Sequence, residues 1–316
     1  MTKRTPLDWF VFLTLATMWA SAFAFTKVAV EGLPPGLIVT CRLALGALLM
    51  CTVMAFSGHK LPPFSDRHAW KAMIAMGIIG TAAPFYLITQ GQRTIDSALA
   101  ALLIASAPLF VAAMAHLRFE DERLTVNKVL GILVGFIGVA VLLGPDAVGG
   151  IGSADMVAQF LCLGAGFCYA VNTIIARSAP NLPAIVLPTG FLAAATLASI
   201  PAALLDDYAA FAPNVSNALA VVALGAVPTA AAGVLLMRLI QTTSATFVSL
   251  TGYLIPLISA VIGYLAFGET QDVSAVLAFA LILGGVWLSQ RQPRSIQPPK
   301  ATSDLVDTVP FTESER

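Results

Sequence analysis

Charge is what this sequence has least of. Asp, Glu, Lys and Arg make up 11% of its 316 residues, against roughly a quarter in soluble domains. A helical chain folded in water needs polar stripes along most of its helices, and residues 129–143 and 275–288 have none. No Asp or Glu stands near the middle of a long apolar stretch: Asp8, Asp96, Glu120, Asp155 and Glu269 all sit at stretch ends. Histidine is scarce too, and His59, His68 and His116 fall in or beside polar connections. Cys41, Cys51, Cys162 and Cys168 lie inside apolar stretches, with no histidine at ligand spacing. They read as small apolar packing groups, so no metal, cofactor or catalytic residue is expected. Basic residues form no cluster, which disfavours phosphorylated or strongly anionic ligands, and no nucleic acid partner is expected.

What the chain has instead is apolar residues, 58% of the total. They fall in ten blocks: 7–29, 37–56, 71–90, 95–117, 126–143, 155–176, 183–205, 218–239, 243–267 and 273–288. About 20 helical residues cross a bilayer, and a helix satisfies its own backbone where water is absent. The reading is an all-α integral membrane protein with ten transmembrane helices. The first block follows Lys3-Arg4 and contains Ala20-Ser21-Ala22, in imitation of a signal peptide. It continues to Ala29, beyond the about 7–15 residues of a signal core, so an uncleaved first helix is expected.

Positive residues collect in cytoplasmic loops. With the N-terminus inside, the inner segments hold fourteen Lys and Arg, and the outer segments hold only Lys27 and Arg93. Both termini are therefore expected in the cytoplasm. The sequence also echoes itself at a spacing of 147–150 residues. Ser97-Ala98 returns as Ser244-Ala245, Pro108-Leu109 as Pro256-Leu257, Phe119 as Phe267, Gly138-Val139 as Gly285-Val286, and Trp19…Lys27 as Tyr169…Arg177. Each half contains five spans, an odd number, so the second half enters the bilayer from the opposite side. The expected organisation is two inverted five-helix repeats, 1–145 and 146–290. The Pro-, Ser-, Thr- and acid-rich tail 291–316 is expected to be disordered in the cytoplasm.

Several stretches resemble the drug/metabolite transporter superfamily, EamA type. They are Trp19-Ala20-Ser21-Ala22-Phe23, Arg42, Ala107-Pro108-Leu109, Glu120 to Arg123, Gly131 to Gly138, Leu254-Ile255-Pro256-Leu257 and Gly263-Tyr264…Glu269. The likeness covers residues 7 to 290. It implies a multi-pass inner-membrane transporter of small metabolites, with the amino-acid exporter branch the nearest match. Export is inferred from this resemblance alone.

The residues themselves suggest where a solute would sit. Inverted-repeat transporters hold substrate near the midplane, where the halves meet. Long polar groups at that depth should face protein or a water-filled cavity. Trp19 and Ser21, Thr81, Tyr86 and Gln90, Ser106, then Tyr169, Asn172 and Thr173, and finally Ser249, Thr251 and Tyr253 fit that description. Asn172 is the strongest, because a bare amide in hydrocarbon is costly; any one Ser or Thr is as well explained by bonding to its own helix. The set suits neutral or zwitterionic solutes such as amino acids. Pro108 and Pro256 remove helical hydrogen bonds to the carbonyls of Ile104 and Gly252, which predicts two matched kinks, structural or hinge-like. Arg42 reads first as structural, bonded to carbonyls or an outer-loop acid, and second as a substrate contact. Lys27 and Glu31 read as a helix-end ion pair. Gly131, Gly135 and Gly138, with Gly284-Gly285, form either a packing seam or a dimer face.

The leading function is an alternating-access carrier driven by the solute gradient, since no mid-span carboxylate is present. An intramembrane enzyme, a channel and a proton-coupled antiporter remain alternatives. The expected partners are a small metabolite and the lipid bilayer, with the chain monomeric or homodimeric.

Overall fold

The computed structural model describes residues 5–118, 125–143, 154–243, 247–248 and 250–290. The expectations for Glu120 to Arg123, for Ser249 and for the 291–316 tail lie outside the described residues. Ten apolar helical spans occupy the rest. They are α1 (Pro6–Val30), α2 (Pro35–Phe56), α3 (Arg67–Gly91), α4 (Ser97–Arg118), α5 (Val126–Leu143), α6 (Ala154–Arg177), α7 (Val186–Leu204), α8 (Val215–Leu239), α9 (Thr251–Phe267) and α10 (Val273–Gln290). The fold is an all-α membrane protein of duplicated five-helix halves, as the apolar blocks predict.

Helix ends follow local chemistry. Thr5 and Asp8 form a capping box at the start of α1, with Pro6 in the first turn. Asn214 and Asn217 do the same for α8, and Asp66 caps α3. Gly268 ends α9 with φ 68°, a left-handed conformation open to glycine. Gly268 N–H bonds the Tyr264 carbonyl at 3.0 Å, the single bond of an αL cap, and Glu269 N–H reaches the Gly263 carbonyl at 3.2 Å. This fixes Glu269 at the helix end.

Two spans depart from regular α geometry at equivalent places. α3 loosens into a π turn at Ile78–Ala82 and α8 into one at Gly225–Ala231. In each, a threonine hydroxyl donates to the carbonyl five residues back: Thr81 to Met76 at 3.1 Å and Thr229 to Leu224 at 2.8 Å. Such turns free backbone groups and recur at functional sites.

Of the expected pair of proline kinks, the first coincides with a break in α4 in the turn preceding Pro108. α4 is divided into Ser97–Ile104 and Ala107–Arg118. Pro108 is the second residue of the later piece, where its missing N–H costs nothing. Pro256 instead lies buried inside α9. That helix starts at Thr251, after a turn at Leu250, and not at residue 243.

Packing repeats when the halves are exchanged. α3 lies against α6 and α7, while α8 lies against α1 and α2; α4 packs on α6, and α9 on α1. Three equivalent pairs meet directly: α2 with α7, α4 with α9 and α5 with α10. The α5–α10 contact is the most extensive. A Cβ on Gly285 would stand 2.5 Å from the Gly131 carbonyl oxygen and 2.7 Å from Gly135 Cα. Gly138 faces Leu281 and Ile282 at similar range. The glycine series is thus an internal seam.

Candidate functional site

The predicted polar residues separate by partner. Ser21, Ser106, Thr173 and Thr251 donate to carbonyls of their own helix or turn, at Met18, Leu103, Tyr169 and Val248, between 2.6 and 2.9 Å. Thr81 is held by its π turn. Ser21 also borders an open groove of about 430 Å³ between α1 and α8, with Phe10, Leu13, Met18 and Val227 as its apolar walls. Thr173 is exposed. The Tyr86 hydroxyl accepts from Gln90 Nε2 at 2.9 Å, a pair one helical turn apart. Trp19 packs with Leu235, Leu236 and Leu254 around Phe12 and Phe247. The Tyr253 side chain lies outside the described positions.

Two candidates meet where α3 of the first half faces α6 of the second. Tyr169 packs against the buried cluster that contains Phe23, Ile88 and Leu103. One turn further along α6, Asn172 Oδ1 is buried with no hydrogen-bond partner. It lies directly against Gly80 in the α3 π turn, so closely that any side chain at Gly80 would collide with it. A buried amide oxygen without a donor forfeits about 1–3 kcal/mol.

Arg42, for which the sequence put substrate contact second to a structural role, is a further buried polar residue of the span interior. Arg42 is 7% exposed. Its Nε donates to Thr229 Oγ1 at 3.0 Å, and its guanidinium carbon lies 3.7 Å from the Phe85 ring centroid. Tyr169 is near enough to feel its charge. The expected outer-loop acid is not beside it: Asp206 accepts the Leu37 N–H at 2.9 Å. The available clue was Thr81 and Thr229, which recur at the repeat spacing.

Lys27 does not pair with Glu31, which is exposed. Its Nζ instead joins Asp96 Oδ1 at 2.6 Å and Glu269 Oε1 at 2.7 Å. Glu269 also accepts the Ser97 N–H at 3.2 Å and the Ala98 N–H at 3.4 Å, capping α4. One cation and two carboxylates thus tie the ends of α1, α4 and α9 together. Tertiary proximity supplied partners that helical spacing could not suggest.

Comparison with known proteins completes the picture. The model of the EamA-like transporter family matches residues 8–144 and again 156–290. A Bacillus subtilis transporter, YdfC, is 25% identical, covering 90% of this chain and 92% of its own. A protein of Streptantibioticus cattleyicolor named as a probable terminal-alkyne amino-acid exporter is 27% identical, covering 92% and 95%. The Escherichia coli inner membrane transporter YedA is 25% identical over 87% of both chains. One solved crystal structure shares the fold, with a TM-score of 0.59 and 22% identity, over 91% of this chain and 97% of that one.

Proposed function

This chain belongs to the EamA-like transporter family, and from that premise we infer that it carries small zwitterionic metabolites, amino acids foremost. It is a membrane transporter, not an enzyme. The observation that carries the finer reading is the unpartnered Asn172 oxygen, buried against the α3 π turn where the two halves meet. A solute ammonium or amide would supply the missing donor. Phe85 and Tyr86 pack on one core cluster and Tyr169 on a second, and aromatic faces of this kind suit an apolar side chain.

Transport proceeds by alternating access, the halves rocking about this site. The direction is export across the inner membrane, with both termini cytoplasmic. The family membership and the similarity to the named exporter support export, and the positive-residue bias supports the orientation. The solute gradient drives exchange. Asp96 and Glu269, the buried or half-buried acids of the outer end, are already engaged by Lys27 and are not free to carry protons through the membrane.

Sealed liposomes containing the purified protein test this. Saturable counterflow of a labelled apolar amino acid is expected, unchanged by an imposed pH difference. Absence of counterflow for every amino acid would reject the substrate class. Uphill accumulation driven by the pH difference would reject the gradient-driven mechanism.

A further inference from the structure

We propose that Arg42 anchors a carboxylate of the transported solute through the free end of its guanidinium. The proposal deepens the amino-acid reading and rests on it. Arg42 lies in the eighth position of α2, about 10 Å below the helix start at 1.5 Å per residue. A charge at that depth is costly unless it is paired or serves a function.

The surroundings of Arg42 hold the group in place without neutralising it. Phe85 covers one face of the guanidinium, a cation–π contact that orients the plane. Thr229 takes the Nε–H. The Thr229 hydroxyl spends its own proton on the Leu224 carbonyl, so it presents only a lone pair to Arg42. Gly46, one turn along α2, makes this approach possible: a Cβ there would lie 2.6 Å from Thr229 Cγ2. The two terminal nitrogens remain. Neither has an acceptor among the described residues, and neither is closed off from water-sized space as Asn172 Oδ1 is. Two parallel N–H groups at the end of a planar cation match a carboxylate in fork geometry.

No acid of the protein competes for that end among the described residues. Asp96 and Glu269 are held by Lys27, and Asp206 is held by the α2 backbone. A purely structural arginine would use its terminal donors on backbone carbonyls, and this one uses none there. The remaining pieces fit an amino acid. Arg42 lies near Tyr169. Asn172, three residues beyond it on α6, is about 4.5 Å further along that helix. A single arginine matches the charge of one carboxylate.

The test compares an acid with its uncharged counterpart in counterflow of labelled L-leucine, using unlabelled L-leucine and L-leucinamide as competitors. The wild type should prefer the acid by about 30-fold or more, the loss typical of removing one partner of a buried charged hydrogen-bonded pair. Arg42→Gln should bind both competitors equally, and Arg42→Lys should keep part of the preference. Thr229→Ala should reduce it severalfold. Thermal unfolding of each purified variant establishes that it is folded. Should Arg42→Gln fail to fold, Arg42→Lys and Thr229→Ala decide the matter, and an unaltered preference in both overturns the proposal. A folded Arg42→Gln that still prefers leucine overturns it too, while leaving the amino-acid reading intact. Absence of counterflow for any amino acid in the wild type removes the amino-acid reading and this proposal together.

Discussion

At Asn172 the proposed site and the stability of the fold make opposite demands. Its carbonyl oxygen is sealed against Gly80 with no donor. Replacement by leucine, similar in size, removes the unsatisfied group and should stabilise the folded protein by about 1–2 kcal/mol. The same change removes the acceptor proposed for the solute and should abolish counterflow. Thermal midpoints and transport rates of Asn172→Leu, measured side by side, check this: a variant that is more stable and fully active would mean the amide serves neither role. Asn172 was legible from sequence because an amide inside an apolar block is conspicuous. Arg42 was equally conspicuous, yet its meaning was not. Its environment comes from Thr229 and Phe85, which lie 187 and 43 residues away. Lys27 failed differently: helical spacing offered Glu31, whereas the fold delivered Asp96 and Glu269.

At the scale of the helix, the α5–α10 seam depends on glycines whose neighbours differ sharply. Gly285 has backbone of α5 within 2.7 Å of where a Cβ would lie, while Gly284 has nothing within 4 Å. Gly285→Ala should therefore destabilise by about 1–3 kcal/mol through overpacking. Gly284→Ala should be neutral or slightly stabilising, since alanine is the better helix former. Detergent or thermal unfolding of the two variants reads the contrast directly, and equal effects would contradict the packing. The positions of the spans were legible because bilayer thickness imposes a minimum apolar length. The interior irregularities were legible only in part. Nothing local to residues 78–82 announces a π turn, whereas the division of α4 at Ala105-Ser106 falls in the turn before Pro108, where the bond to Ile104 is missing. The glycine series shows the same limit: its close approach could be read from sequence, its partner helix could not.

For the whole molecule, the exchange of packing partners between halves unites these details. Contacts of α3 with α6 and α7 mirror those of α8 with α1 and α2, and both π turns face the opposite half through Asn172 and Arg42. The proposed site lies between the halves, and alternating access requires that they enter the membrane in opposite senses. The most direct measurement is the sidedness of two equivalent connections. Ser65, between α2 and α3, and Asp207, between α7 and α8, are both exposed. In a background with Cys41, Cys51, Cys162 and Cys168 replaced, Ser65→Cys and Asp207→Cys are treated in intact cells with a membrane-impermeant thiol reagent. The account predicts that position 207 reacts from outside and position 65 reacts only after lysis; reaction of both from the same face would contradict it.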